Sequence, residues 1–135
     1  MIRPSQADSI DDDQKRADLR IMGLGRHLMV DVSVTHPCAS SFLAQAATTR
    51  LSAANTRAAA KRDKYRSISR RIGVRFIPFV LESYGAANRD VHELIKLLSA
   101  CADSSAIHHT VSFSRWAKSL LSITLQKGNC RVMGL

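Results

Sequence analysis

The spacing of hydrophobic residues changes along this chain, and each spacing predicts a different element of secondary structure. From residue 27 to residue 35 apolar and polar side chains alternate, which places four aliphatic residues on one side of the backbone. These are Leu28, Val30, Val32 and Val34. Alternation with β-branched residues is typical of a strand that has one face against the core. The pattern therefore predicts a strand with a buried aliphatic face and a more polar face that carries Asp31.

A second, shorter strand is predicted at residues 18–22, just before a turn at residues 23–26 that contains two glycines. Two strands joined by a short glycine-containing turn form a β-hairpin. Pairing across this turn sets Asp18 opposite Asp31, with about 5 Å between their Cβ atoms. The hairpin is therefore expected to bring two carboxylates together.

Helical patterns follow the hairpin. Residues 42–72 are rich in alanine and arginine and predict one long helix, with a break near Thr48 and an end at Gly73. Residues 89–101 and 113–126 each repeat apolar residues at helical spacing, and the second of these helices is expected to end at KGNC.

A third strand is predicted at residues 74–83, where Pro78 restricts it to the edge of a sheet or to a bulge. The order strand, strand, long helix, strand, helix, helix predicts an α/β fold, in which helices pack on a mixed sheet. The predicted domain spans residues 16–131. Residues 1–15 are polar, lack the apolar core of a secretory signal, and are expected to form a flexible leader.

The positive charge of the chain is concentrated in one segment. The formal net charge is +9, and residues 50–75 contain nine basic residues against a single acid, Asp63. Such a segment favours a polyanionic partner, with DNA or RNA ahead of an acidic membrane surface. The alternative is a solvated helix face that binds nothing. No apolar run approaches the ~20 residues of a membrane span.

Three widely spaced cysteines, Cys38, Cys101 and Cys130, form neither a zinc-binding pattern nor an evident disulfide framework. Reduced thiols are the expectation, and they favour a nuclear or cytoplasmic location over secretion.

The two carboxylates suggest metal chemistry. A carboxylate inside an apolar strand is costly to bury unless it is paired or binds a metal. Two adjacent carboxylates also repel, and Mg²⁺ or Mn²⁺ would relieve that repulsion. A metal-bound water beside a phosphodiester is the core of a nuclease site. Lys61 and Lys64, on the predicted long helix, are candidates to stabilise the charge that develops on the phosphate.

Several blocks of this sequence resemble, in order, a known domain. They are RADLRI, LMVDVSVTHP, KRDKY, FIPFVLESYG and LLSITLQKGNC. The resemblance is to the restriction-endonuclease-like, or PD-(D/E)XK-type, domain. More narrowly, the chain looks like the C-terminal endonuclease region of reverse-transcriptase ORFs in non-LTR retrotransposons. It covers residues 16–131 and implies a restriction-endonuclease-like core with three or more strands, a long helix and two C-terminal helices.

Two aspartates and a lysine of this chain match the motifs of that domain. Asp18 matches the first aspartate of the pattern, although Ala17 stands in place of the proline, and Asp31 matches the second. Ser33 stands where broader relatives carry a catalytic lysine. In the retroelement version that lysine comes from the following helix. The helix residues that match it are Lys64 and, as the second choice, Lys61.

The resemblance implies a Mg²⁺-dependent or Mn²⁺-dependent DNA endonuclease of retroelement origin. Asp18 and Asp31 would bind the metal, and four arginines would contact the nucleic-acid backbone. These arginines are Arg57, Arg62, Arg66 and Arg70. Glu82 is expected to be either an accessory metal ligand or a surface or helix-capping residue. The short polar segment before the first aspartate suggests a truncated copy.

Two other functions remain open at this point. One is a catalytically inactive remnant of the same domain that binds nucleic acid without cutting it. The other is a helical interaction protein with a basic face.

Overall fold

The computed structural model describes residues 16–23, 25–104 and 112–134, so the leader predicted at residues 1–15 lies outside the described residues. Within these ranges the chain forms three strands and four helices. In chain order they are β1 (Leu19–Ile21), β2 (Leu28–Thr35), α1 (Leu43–Ala46), α2 (Ser52–Ile72), β3 (Arg75–Glu82), α3 (Arg89–Ser104) and α4 (Phe113–Val132).

The strands form one mixed sheet in the order β1-β2-β3. β1 pairs antiparallel with β2, and Ile21 lies opposite Leu28, which is the register that the hairpin predicts. β2 and β3 are parallel, so the long helix between them is a crossover connection. β3 is an edge strand, where a residue without a backbone N–H such as Pro78 is tolerated. The α/β fold is confirmed, and the purely helical alternative is wrong.

The two faces of β2 contact different helices. On one face Leu28 and Val30 form a cluster with Leu94 of α3. On the other face Met29 packs with Tyr65 of α2, and Asp31 also points to that helix. The face that looked more polar in the sequence is therefore buried under α2.

The aliphatic face of β2 is covered over only half its length. Val32 and Val34 are 42% and 53% exposed, although the alternation predicts that both are buried. The reason is the path of α3, in which Val91 and Ile95 pack on Leu81 of β3 rather than on the far end of β2. The sequence pattern marks a face as apolar but does not specify how far a helix extends over it.

The predicted long helix is interrupted at residues 47–51, which confirms the break predicted near Thr48 and leaves two helices. α1 is a single turn, and α2 begins after Leu51, whose backbone is in the left-handed conformation with φ at 62°. Past that break, Ala54 and Ala58 are buried against Val80 of β3, and their small side chains let α2 lie close to the sheet. α2 ends at Gly73, with φ at 65°, as predicted.

The last helix is longer than predicted. α4 continues through the KGNC segment to Val132 and does not end there. Its residues Ala117 and Leu121 pack against the cluster formed by α3 and β3, and Leu125 is buried. None of the helices in the described ranges has both the length and the apolar character needed to cross a bilayer.

Asn88 binds the free edge of β3. It is 1% exposed, its Nδ2 donates to the Pro78 carbonyl at 3.1 Å, and its Oδ1 accepts from the Val80 N–H at 3.3 Å. Replacing it with alanine leaves buried backbone groups without partners. We expect Asn88→Ala to lower the free energy of unfolding by about 2–4 kcal/mol.

Urea denaturation measures this loss. Asn55→Ala, at an exposed position of α2, is the matched control and should change the free energy of unfolding by less than about 0.5 kcal/mol. Equal stability of the two variants would contradict the role assigned to Asn88.

Candidate active site

Asp31 is a buried carboxylate in the middle of β2, and both of its oxygens are engaged by α2. The residue is 4% exposed. Its Oδ1 accepts a hydrogen bond from the Tyr65 hydroxyl at 2.8 Å, and its Oδ2 lies 2.5 Å from Lys61 Nζ. A buried charge is tolerated when it is both paired and hydrogen-bonded. This pairing answers the energetic question that the sequence raised.

Asp18 immediately precedes β1, in which Leu19 lies opposite Val30. One further position in the same register would bring Asp18 beside Asp31. Asp18 is exposed, and its Oδ2 accepts the Val32 N–H at 2.6 Å.

The Tyr65 side chain connects α2 to β2, through Asp31, and to the segment before β1, through Arg16. Its ring is buried and stacked on Phe76 with centroids 4.6 Å apart. Its hydroxyl lies 2.8 Å from Asp31 Oδ1 and also 2.8 Å from the Arg16 carbonyl, so its single proton serves one acceptor at a time. Burial, the hydrogen bond to Asp31 and the negative charges of Asp31 and Asp18 raise the pKa of Tyr65 to about 12.

Lys61, and not Lys64, is the lysine that contacts Asp31. Lys64 Nζ lies over the Tyr65 ring, 5.1 Å from its centroid, and Lys64 is exposed. The resemblance makes Lys64 the first choice and Lys61 the second, whereas Lys61 is the residue beside the carboxylate. Helical spacing explains the result, because Lys61 and Tyr65 are four residues apart and therefore share the face that meets β2.

Tyr65 is not among the site residues predicted from the sequence, and its hydrogen bond to Asp31 emerges only in the structure. The available signal was the same four-residue spacing, which places the lysine and the tyrosine of KRDKY on one face of the helix.

Ser33 and Glu82 also lie on the α2 side of the sheet, but neither forms a hydrogen bond with Asp31. Ser33 Oγ is buried and has no hydrogen-bond partner among the described residues. Glu82 pairs in register with Thr35, four positions beyond Asp31, which separates the two acids by about 13 Å along the strands. Glu82 Oε1 instead accepts the Ala54 N–H at 3.2 Å, so Glu82 caps α2 and is too distant to share an ion with Asp31.

The four predicted backbone-binding arginines do not form one surface. Arg57 and Arg66 are nine residues apart, which sets them on opposite sides of α2. Arg62 and Arg66 form ion pairs with Asp90 and Asp63, respectively.

Arg70 is four residues from Arg66 and lies on the same side, whereas Arg57 lies on the side of Lys61 and Lys64. Arg57 and Arg70 are exposed, and neither has an ion-pair partner among the residues that the structure describes. Arg57 and Lys64 are therefore two exposed cations on the same side of α2 as Lys61.

Carboxylates such as Asp18 and Asp31 are the ligands that a hard divalent cation prefers. Mg²⁺ is normally held by one or two carboxylates together with substrate phosphates. Asp31 Oδ2 is buried without accepting a hydrogen bond of ordinary geometry. In the described part of the chain no group of three or more His, Cys, Asp or Glu side chains could enclose a metal. The site can therefore supply two protein carboxylates and no more.

Comparison of this chain with models of protein families, with curated proteins and with solved structures finds no match. The chemistry of the site is therefore argued from its own side chains.

The pKa of Tyr65 gives a direct test of this geometry. The chain has two tyrosines, so in the Tyr84→Phe variant Tyr65 is the one phenol that can titrate. We expect tyrosinate absorbance to appear with a midpoint near pH 12 in the folded protein. The urea-unfolded chain should titrate near the ordinary value of about 10.

The sign of the effect on stability follows from the same shift. The folded chain holds the phenolic proton more tightly than the unfolded chain does. The resulting stabilisation is therefore complete below about pH 10 and is lost as the pH rises toward 12. A folded-state midpoint near 10 would contradict the buried hydrogen bond to Asp31.

Proposed function

We propose that this chain is a metal-dependent DNA endonuclease domain of the restriction-endonuclease-like type, of retroelement origin, that hydrolyses phosphodiester bonds. The observation that carries the proposal is the buried carboxylate of Asp31, whose Oδ2 lies 2.5 Å from Lys61 Nζ, with Asp18 immediately before the paired strand β1. Two acids and one lysine, supplied by a hairpin and the helix that crosses over it, are the groups that hydrolysis of a phosphodiester requires.

Each side chain has a defined role in this proposal. Asp18 and Asp31 would hold Mg²⁺ or Mn²⁺, and the ion would supply polarisation of the phosphate and a lowered pKa of a water. Lys61 stabilises negative charge on the phosphate. Tyr65 orients Asp31 through its hydrogen bond and stays protonated at neutral pH.

The DNA backbone would lie along the side of α2 that carries Lys61. Arg57 and Lys64 are exposed there and would contact phosphates on either side of the site. Arg62 and Arg66 point elsewhere and are partly neutralised by their acidic partners. Phosphate contacts of this kind position the duplex without reading its sequence.

A nucleic-acid-binding domain without cleavage activity is the second candidate. It is favoured by the Lys61–Asp31 contact, because that ion pair already neutralises the carboxylate that would bind the metal. The two candidates share the basic side of α2 and differ only in turnover.

Cleavage of supercoiled plasmid in Mg²⁺ distinguishes them. We expect the wild-type chain to cut and Asp31→Asn to cut at least about 100-fold more slowly, because the variant loses a charged metal ligand. The control is Asp63→Asn, which removes an exposed acid of α2 and should cut at the wild-type rate. If the wild-type chain binds DNA without cutting it, the binding domain is correct.

The salt dependence of DNA binding tests which side of α2 contacts the backbone. Removing one phosphate contact reduces the log–log salt slope by about 0.9. We expect this reduction for Arg57→Ala and almost no change for Arg66→Ala, as measured by fluorescence anisotropy of a labelled duplex. The opposite ranking would place the DNA on the other side of the helix, and a flat salt dependence would exclude backbone binding.

A further inference from the structure

One oxygen of Asp31 is available to a cation, and Lys61 already contacts it. Oδ1 accepts the hydrogen bond from Tyr65 at 2.8 Å, whereas Oδ2 lies 2.5 Å from Lys61 Nζ. Oδ2 is buried and accepts no hydrogen bond of ordinary geometry from the described residues. A metal ion that binds Asp31 through this oxygen must therefore replace the ammonium group.

We infer that Lys61 is an internal competitor of the divalent cation, and that nucleic acid relieves the competition. Without DNA, Lys61 neutralises Asp31 and weakens metal binding. When a phosphate group enters the site, it offers the ammonium a second anionic partner, and Asp31 becomes free for the metal. The inference rests on the proposed function, because it takes Asp31 as a metal ligand.

The charges around the site make this competition effective. No third acid reinforces the two aspartates among the described residues, and Asp18 Oδ2 is engaged by the Val32 N–H at 2.6 Å. The Lys61 side chain is only 17% exposed, so an ammonium displaced without a new partner would lose an ion pair without becoming fully hydrated. A phosphate oxygen supplies that partner. Metal and DNA should therefore each increase the affinity for the other by the same factor.

Lys64 behaves differently, although it has the same charge and lies three residues further along the helix. Its ammonium is exposed and contacts the face of the Tyr65 ring, not a carboxylate oxygen. Loss of Lys64 should therefore weaken DNA binding without changing the competition at Asp31. This difference provides a control with an identical change in net charge.

Electron paramagnetic resonance of free Mn²⁺ measures the affinity for the ion directly. The titration is run with and without a saturating short duplex whose phosphorothioate linkages slow hydrolysis, and Mn²⁺ bound by the duplex alone is subtracted. For the wild-type chain we expect DNA to lower the Kd for Mn²⁺ by at least about fivefold, the lower end of typical coupling between sites.

The lysine variants distinguish competition at Asp31 from a general effect of net charge on the affinity for Mn²⁺. Lys61→Met should bind Mn²⁺ without DNA at least about fivefold more tightly than the wild-type chain, and DNA should then change its Kd by less than about twofold. Lys64→Met should retain the wild-type coupling. Lys61→Gln, which can still donate a hydrogen bond to Asp31, repeats the test with less risk to folding, and circular dichroism verifies the fold.

The failure of this inference differs from the failure of the proposed function. If Asp31→Asn binds Mn²⁺ as tightly as the wild-type chain, the metal site itself is wrong. If Asp31 is required but DNA leaves the wild-type Kd unchanged, only the competition by Lys61 is wrong. That wild-type comparison needs no variant, so an unchanged Kd overturns the inference even if the Lys61 variants do not fold. Equal coupling in Lys61→Met and Lys64→Met would also overturn the inference.

Discussion

The neutralisation of one buried carboxylate determines how this chain is assembled. Asp31 is in the centre of the middle strand, on the face that α2 covers, and it is almost inaccessible to water. A charge in that position requires a cation and hydrogen-bond donors. α2 supplies both through Lys61 and Tyr65, which fixes the rotation of the helix about its axis. The contacts of Lys61 and Tyr65 with Asp31 therefore both pack α2 on the sheet and form the site.

The same contacts limit what the site can do. An acid that its own helix holds through an ion pair and one hydrogen bond is less available to a metal than a free carboxylate would be. The exposed Asp18, just before the neighbouring strand, adds a second negative charge to this region.

The rotation of α2 also sorts its basic residues. Arg57 and Lys64 lie on the side of Lys61, whereas Arg66 lies on the opposite side and is paired with Asp63. In the sequence these residues form one basic segment. In the fold they become two surfaces, and only one of them borders the carboxylates.

The sequence by itself determined the elements and the register of the hairpin. Period-two alternation, glycine turns and helical spacing are local signals, so they located β1, β2 and β3 and set Ile21 opposite Leu28. Only the tertiary structure decided that the Lys61 face of α2 meets Asp31, that Val32 and Val34 stay exposed, and that Glu82 caps a helix. These outcomes depend on the rotation of α2 and the path of α3 across the sheet. Spacing within α2 places Lys61 and Tyr65 on one face, but packing between distant segments decides which strand that face meets.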